Sequence, residues 1–385
     1  MINLKRIYRA FIQKCEDFSE HIRIKKQKIA EKIEIKKYNK APILAQYKLS
    51  KAQKKEIDCF FLKNLGRIIP YDWHKKYAAL SGNFVINFFP EILYTTELEP
   101  LLNSTYMRRA YSHKNMTELI YSKVLTENKD VCVPNTIIGC CEGNYYINSY
   151  TYISKKQYYE YISNLTGEFI VKESIDSSSG ESVELINTNN GIIKKTDISL
   201  NQYLIKYGHN FIVQEKIKET EELKQLHPES VNTIRIMTYR VNGSIKYTPA
   251  VVRIGRGNHY LDNAHAGGIY VGINDDGTLC SCALDCNAQK YLRHPDLGYF
   301  FSEKKISQFP RVINVAKELH KCLPGIGFVS WDFAINTKNQ VVLIEGNLQC
   351  GSIWMIQNAH GKGAFGKDTP YMLSLLKNKS KNNFI

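Results

Sequence analysis

The feature that most constrains the fold is a pair of apolar, β-favouring runs that carry three oxygen-bearing side chains. The runs are residues 328–335 and 341–347, and the turn-forming residues 336–339 between them predict a β-hairpin. Glu345 and Asn347 are two residues apart, so they point to the same face of their strand, and Asp332 meets them if the register allows. Two carboxylates and an amide suit Mg²⁺, which completes its coordination with water and nucleotide phosphates. The hairpin therefore predicts a metal site for nucleotide binding.

A simpler interpretation is that Asp332 and Glu345 are strand-end carboxylates that face water. Both acids, however, lie within otherwise apolar runs. Burying two carboxylates without a cation or a basic partner is costly, which favours the functional interpretation.

Length and composition indicate a folded protein of two or three structural units. The chain has 385 residues and 43% hydrophobic content. No apolar run approaches the roughly 20 residues that a membrane span requires, and the first residues lack the apolar region of a secretory signal. We therefore expect a cytoplasmic protein whose ten cysteines are free thiols.

The positive charge is concentrated at the amino-terminal end. Of the net charge of +15, residues 1–60 contribute a surplus of nine, with 16 Lys or Arg against 7 Asp or Glu. Apolar residues, some at helical spacing, are interleaved with them: Ile2, Leu4, Ile7, Phe11, Ile22, Ile29 and Ile33. Residues 1–50 thus predict a basic amphipathic helix, which either lies on an anionic membrane surface or packs on the protein by its apolar stripe. The absence of a zinc finger or an RNA-recognition motif argues against a nucleic-acid partner.

Several later segments have the residue types of an anion-binding site. Lys172 ends a short predicted strand, and the loop that follows contains Ser178, Ser179 and Gly180, whose backbone amides can approach phosphates. The same loop is also what an ordinary hairpin connection would contain. Arg235 is predicted to face a polar cleft, and Arg253 lies inside an apolar strand, where a guanidinium requires an anionic partner such as phosphate or carboxylate.

The order of these segments resembles the ATP-grasp superfamily. The matching phrases are His113-Lys114-Asn115, Val171-Lys172 with its Ser/Gly loop, Gln214-Glu215-Lys216-Ile217, Trp331-Asp332 and Ile344-Glu345-Gly346-Asn347. Val231-Asn232-Thr233-Ile234-Arg235, and Asp262-Asn263 with Gly267-Gly268, resemble the sugar-transfer-associated branch, which is found with surface-polysaccharide genes. His113 departs from the family pattern, in which an aspartate commonly precedes the first lysine.

The resemblance implies a fold and a set of roles. The fold is α+β, with two subdomains that grip the nucleotide (residues 126–220 as the small lid and 221–385 as the large subdomain) after a helical region at 51–125. ATP would be bound by Lys114, Lys172, Ser178, Ser179, Gly180, Gln214, Glu215, Ile217 and Glu221. Mg²⁺ would be held by Asp332, Glu345 and Asn347. Arg235 and Arg253 would stabilise the transferring phosphoryl group, and Asn263, Gly267 and Gly268 would contact the substrate.

The implied reaction is ATP-dependent carboxylate–amine ligation through an acyl phosphate, with release of ADP and phosphate. The acid would be a sugar acid, free or linked to a nucleotide or lipid, and the second substrate an amine, in surface polysaccharide biosynthesis. Two alternatives remain open: a sugar phosphotransferase that uses the same nucleotide site, and a non-catalytic nucleotide-binding partner of a glycosyltransferase. The basic amino-terminal segment would allow peripheral attachment to the inner face of a membrane.

Overall fold

A computed structural model describes residues 4–148, 150–175, 183–257 and 267–382. Ser178, Ser179, Gly180 and Asn263, which the sequence places at the site, lie outside these residues. The described residues form two compact units. The helical unit comprises residues 1–102 and 349–385, and the sheet unit comprises residues 103–348.

The helices, in chain order, are α1 Leu4–Tyr38, α2 Pro42–Gln46, α3 Lys51–Leu65, α4 Asp72–Ser81, α5 Glu91–Leu93, α6 Glu99–Leu102, α7 Thr105–Tyr111, α8 Thr117–Ile120, α9 Ser122–Glu127, α10 Lys155–Ser163, α11 Leu200–Leu204, α12 Glu221–Lys224, α13 Phe309–Lys321, α14 Trp354–His360 and α15 Thr369–Asn382. A π-helical turn, Tyr94–Leu98, joins α5 to α6. A 3₁₀ turn, Lys114–Met116, precedes α8.

The strands, in chain order, are β1 Val131–Cys132, β2 Thr136–Cys141, β3 Asn144–Ile147, β4 Thr151–Ile153, β5 Gly167–Glu173, β6 Val183–Asn189, β7 Ile192–Ile193, β8 Phe211–Glu215, β9 Thr233–Val241, β10 Ser244–Tyr247, β11 Ala250–Ile254, β12 Ile269–Ile273, β13 Leu279–Leu284, β14 Lys290–Tyr291, β15 Phe328–Ile335 and β16 Val341–Asn347.

The helical unit is built from helices whose ends carry clear local signals. Ser50 and Gln53 form a capping box at the start of α3, and Gly66 ends it in the left-handed conformation. Trp73 and Tyr77 of α4 pack with Ile35 of α1 and with Phe88 in the unit's core.

Residues 349–385 fold with the first helices, whereas the sequence grouped them with the large subdomain. The reason is a set of buried polar contacts: Gln357 of α14 accepts a hydrogen bond from Phe89 N and donates one to Phe89 O, each at 2.8 Å. Glu91 also accepts from Ile353 N at 3.0 Å.

The sheet unit contains two sheets within its described residues. The larger has the strand order β1-β16-β15-β9-β11-β12-β13-β14, with β10 paired to β9. Helix α13 starts with a proline in its first turn and buries Val312, Ala316 and Leu319 in the core of this sheet. The smaller sheet has the order β4-β3-β2-β8-β5-β6-β7, and α10 and α11 contribute to its core. The predicted hairpin is present as β16 and β15, the second and third strands from the β1 edge of the larger sheet.

Candidate active site

The β15–β16 hairpin brings its three oxygen-bearing side chains to one face. Asp332 lies directly opposite Glu345, and Asn347 lies opposite Ser330, so these positions share a face of the sheet. Asn347 Nδ2 donates to Asp332 Oδ2 and to Ser330 O, each at 3.3 Å. The proximity expected from the alternation of side chains is therefore present in the structure.

Gly346 is required by what lies on the other face of the same hairpin. A Cβ atom at this position would come within 2.9 Å of the Trp331 ring, and Trp331 is fully buried in the core of the larger sheet. The glycine therefore allows the indole ring to pack closely against β16 while Glu345 and Asn347 remain on the opposite face.

Asp332 is buried and bound by two arginines from neighbouring strands. Arg235 of β9 lies opposite Asp332 in the register and donates from Nε and Nη2 at 2.8 and 2.6 Å. Arg253 of β11 is 3.4 Å from the same carboxylate and donates to Thr233 at 2.8 Å. Burial alone would raise the pKa of Asp332, but the charges of Arg235 and then Arg253 outweigh it, and the pKa is lowered. The anionic partner expected for Arg253 is thus a carboxylate of the same chain.

Two lysines lie near Glu345 of the hairpin, and one of them is paired with it. Lys114 Nζ is 3.1 Å from Glu345 Oε1. The turn that carries Lys114 is fixed by Lys114 N donating to Ser174 O at 2.8 Å. Lys172 of β5 is buried, and burial followed by repulsion from Lys114 lowers the pKa of Lys172 to about 8, although Glu345 opposes the shift. This concentration of positive charge favours an anionic ligand.

His113 caps the start of this turn. Its Nδ1 atom accepts a hydrogen bond from Asn115 N at 3.3 Å, so the ring caps the 3₁₀ turn that presents Lys114. An aspartate, the residue common in the family, can accept the same bond with a carboxylate oxygen. The departure at this position is therefore compatible with presentation of the lysine.

A cleft lies beside the two lysines, between the two sheets of the sheet unit. Its polar lining includes Lys114, Glu118, Thr136, Lys172 and Gln214, and its apolar lining includes Val133, Pro134, Ile212, Leu343 and Ile344. The cavity volume of the cleft is about 20 Å³, little more than one water molecule requires. A nucleotide base can therefore enter only when the walls of the cleft separate.

An aromatic pair in the cleft was missed by the sequence reasoning. Tyr146 and Tyr150 line the cleft and stack with ring centroids 5.0 Å apart. The Tyr150 hydroxyl donates to Asn115 O at 2.7 Å, which ties the ring to the turn that carries Lys114. Tyr150 also has a φ of 70°, uncommon for a residue other than glycine. Tyrosine is abundant in this chain, and nothing in the sequence singles out these two.

The remaining predicted site residues lie in different places. Gln214 points into the cleft and donates to Thr136 Oγ1 at 3.2 Å. Glu215 is exposed at the end of β8, and Ile217 follows it, half-buried; neither lines the cleft. Glu221 is exposed near Lys224. Gly268 is buried, while Gly267, with a φ of 99°, accepts a hydrogen bond from Arg256.

The donor set at the hairpin fits Mg²⁺ in its chemistry. Within the described residues, no group of three or more His, Cys, Asp or Glu side chains is arranged to hold a metal ion. The candidate set instead contains two carboxylates and an amide, Asp332, Glu345 and Asn347. Because Asn347 directs its amino group at Ser330 and Asp332, its oxygen remains for a cation, which makes the set one of hard oxygen ligands. Asp332 would share its oxygens with the two arginines.

Solved structures with similar folds include several ligases and synthetases. The N5-carboxyaminoimidazole synthetase from Staphylococcus aureus, complexed with ADP, is 12% identical, with a TM-score of 0.36 over 63% of this chain and 46% of that one. The L-amino acid ligase from Bacillus licheniformis is 11% identical, with a TM-score of 0.38 over 71% and 48%. The D-alanine-D-alanine ligase from Coxiella burnetii is 12% identical, with a TM-score of 0.36 over 71% and 59%. The match thus spans about half the length of these proteins.

The sequence comparisons identify the family. No curated protein matches the chain in sequence. The family described as sugar-transfer associated ATP-grasp matches residues 94–370, which include the two lysines, the arginines and the hairpin. An α+β fold with a helical amino-terminal region accords with this match. The chain belongs to the sugar-transfer associated ATP-grasp family.

Proposed function

We propose that the protein is an ATP-dependent ligase that joins the carboxylate of a sugar acid to an amine in surface polysaccharide biosynthesis. Membership of the ATP-grasp family supports the use of ATP. The observation that carries the site assignment is the pairing of Lys114 with Glu345, with Lys172 lining the same cleft, beside a hairpin whose oxygen ligands suit magnesium. The choice of a sugar acid rests on the sugar-transfer branch of the family.

The two lysines would bind the phosphates of ATP. Lys114 is already paired with a carboxylate at 3.1 Å, and an incoming phosphate would compete with Glu345 for its ammonium group. Lys172 is buried beside it, and an anion within reach would favour its charged form. Adenine would enter the cleft lined by Ile212, Gln214 and Leu343 once the walls separate.

The arginines would stabilise charge on the transferring phosphoryl group. Asp332 binds Nε and one terminal nitrogen of Arg235, so the plane of the guanidinium group is fixed before any substrate arrives. Arg253 approaches the same carboxylate from the neighbouring strand. Phosphoryl transfer depends mainly on positioning and charge neutralisation, which such a preorganised pair supplies.

Asp332, Glu345 and Asn347 are the residues that would hold Mg²⁺, and the ion would neutralise phosphate charge when bound. In the first step, a carboxylate oxygen of the sugar acid attacks the γ-phosphorus of ATP, and the bond to ADP breaks. In the second step, the amine nitrogen attacks the acyl carbon, phosphate leaves, and the nitrogen loses a proton. The products are an amide, ADP and phosphate.

The test is to incubate the protein with Mg-ATP, a panel of uronic acids and a mixture of amines, and to measure ADP, free phosphate and product masses. Equal ADP and phosphate with an amide mass supports the ligase. ADP without phosphate, together with a phosphorylated sugar, would replace it with a phosphotransferase. Binding of Mg-ATP without turnover across the full substrate panel would favour a nucleotide-dependent partner of a glycosyltransferase.

The matched variants are Glu345→Gln at the site and Glu318→Gln on the exposed surface of α13. The first removes one negative charge beside Lys114, and the second removes one from an exposed ion pair with Lys321. We expect Glu345→Gln to abolish Mg-dependent turnover while the fold is retained, and Glu318→Gln to leave turnover unchanged. Normal turnover of Glu345→Gln would contradict the metal assignment.

A further inference from the structure

Helix α1 carries an apolar stripe on its exposed side. The stripe residues are Tyr8, Phe11, Cys15, Phe18, Ile22, Ile29 and Ile33, and each of them is exposed. They recur at spacings of three, four or seven residues, which places them on one face of a helix with 3.6 residues per turn. Phe11, Phe18, Ile29 and Ile33 are each more than half exposed. Ile2 and the side chains of Leu4 and Ile7 lie outside the described part of the chain.

The opposite face of α1 contacts the rest of the helical unit and is largely polar. Glu31 is buried there, accepts from Gln27 Nε2 at 2.9 Å and lies 3.4 Å from the Thr95 hydroxyl. One of the two interpretations of the sequence, in which the apolar stripe packs on the protein, is therefore wrong for the stripe residues. Among the α1 side chains that the structure describes, the buried apolar ones are Ile35 and Tyr38, near the end of the helix.

Lysines border the stripe, whereas the acids of α1 lie away from it. Lys14, Lys25 and Lys32 are exposed, and each follows a stripe residue by three positions, which makes them neighbours on the helix surface. The packed side holds four acids by helical spacing, Glu16, Glu20, Glu31 and Glu34. The fifth acid, Asp17, is exposed but lies outside the stripe, three positions after Lys14. Glu20 is already paired with Arg23 at 2.7 Å. The exposed face therefore combines apolar side chains with a surplus of positive charge.

We propose that this face of α1 binds the surface of an anionic lipid membrane. Such a helix lies in the interface with its apolar side chains among the acyl chains and its lysines at the anionic headgroups. No helix among the described residues is both long and apolar enough to cross a membrane. The binding would be peripheral, and it is independent of the reaction proposed above.

The charge pattern favours a membrane over a second copy of the chain. If two stripes packed together, the lysine rows beside them would also be brought together, while four of the five acids that could pair with them face the other way. Like charges flanking an apolar seam destabilise helix pairing. An anionic membrane supplies the negative charge that the stripe lacks.

The test uses the full chain and sedimentation with vesicles of phosphatidylcholine alone or mixed with phosphatidylglycerol. One variant, Phe11→Gln with Phe18→Gln, removes apolar side chains from the stripe. Its control, Leu62→Gln with Ile68→Gln, removes exposed apolar side chains elsewhere in the helical unit. Glutamine is a good helix former, so α1 is expected to persist, and circular dichroism checks this.

A second pair of variants tests the charge. Lys25→Gln with Lys32→Gln neutralises two lysines beside the stripe, and Lys51→Gln with Lys55→Gln neutralises two exposed lysines of α3. Each lysine near an anionic surface strengthens binding about fivefold, so we expect the first variant to bind about 25-fold more weakly. We expect the loss of Phe11 and Phe18 to weaken binding at least about tenfold. Neither control, the Leu62/Ile68 variant or the Lys51/Lys55 variant, is expected to change vesicle binding.

Binding of the wild type to the mixed vesicles but not to neutral ones, reduced by salt and by both stripe variants, supports the proposal. Equal binding to both vesicles, or no binding, would overturn it. Light scattering tests the alternative that a second copy of the chain covers the stripe. Self-association that depends on concentration and disappears in the Phe11/Phe18 variant, without vesicle binding, would support that alternative. None of these results depends on catalytic turnover, so failure of the ligase assay would leave this proposal unaffected.

Discussion

Replacing Asp332 with asparagine should destabilise the sheet unit far more than breaking an exposed ion pair of the same length. The Arg235–Asp332 pair spans 2.6 Å, and its side chains are 18% and 5% exposed. The Lys321–Glu318 pair also spans 2.6 Å, but its side chains are 60% and 47% exposed. The two pairs lie in the same unit, so burial is the main difference between them.

The expected loss of unfolding free energy follows from the charges that the substitution leaves in place. Asp332→Asn retains the shape of the side chain but leaves Arg235 and Arg253 without their shared counter-charge. Removing one partner of a buried ion pair costs about 3–5 kcal/mol. The residual exposure of Arg235 favours the lower end, about 3 kcal/mol. Glu318→Gln should cost at most about 1 kcal/mol.

The assay is urea unfolding monitored by circular dichroism. The urea midpoints of the variants are compared where their unfolding slopes are equal. For a slope near 3 kcal/mol per molar, Asp332→Asn should lower the midpoint by about 1 M. Because the pKa of Asp332 is lowered in the folded state, its stabilisation is present at neutral pH and is lost only as the pH falls below about 4. The cost of the substitution should therefore be constant from about pH 5 to 8.

A double variant separates an unpaired charge from lost packing. Arg235→Met in the Asp332→Asn background removes one of the two guanidinium groups that have lost the Asp332 charge, so the double variant should be less destabilised than the sum of the two single variants. Strict additivity, or equal costs for Asp332→Asn and Glu318→Gln, would refute the argument that breaking this buried pair leaves costly unneutralised charge.

Three further predictions follow from individual sites. Because burial and Lys114 lower the pKa of Lys172 to about 8, ATP affinity measured by calorimetry should fall as the pH rises through 8, and Lys172→Met should bind weakly without that dependence. Gly346→Ala should cost about 1–3 kcal/mol in urea unfolding, because its Cβ would lie 2.9 Å from the Trp331 ring; an unchanged midpoint would contradict this. Burial lowers the pKa of His74 to about 4, so the helical unit should lose stability as the pH falls from about 6.5 towards 4, and a flat stability profile across that window would refute this.

Local sequence patterns determined much of what lies near the site. The alternation along residues 328–335 and 341–347 was enough to place Asp332, Glu345 and Asn347 on one face, because side chains in a strand have a strict period of two. The order of short motifs was enough for the family resemblance, which the match to residues 94–370 confirms.

Only the tertiary structure decided which partners these side chains meet. The sequence could show that Arg253 needs an anion, but that anion is Asp332, which lies two strands away in the sheet order, from β11 past β9 to β15. The pairing of Lys114 with Glu345, across 231 positions of the chain, likewise depends on how the turn and the hairpin come together. Residues distant in sequence are brought together by strand order, which local periodicity does not encode.

In the amino-terminal helix, too, the sequence determined some features and the tertiary structure decided others. The basic and apolar residues of α1 determined that it is a helix with two unlike faces, because a period of 3.6 residues can be read from the sequence. Which face packs inward depends on buried polar contacts such as Glu31 with Thr95, and these exist only after the helices assemble. The sequence by itself thus determined the family, the hairpin and the patterns of charge. The tertiary structure decided which charges neutralise one another and which apolar side chains remain exposed.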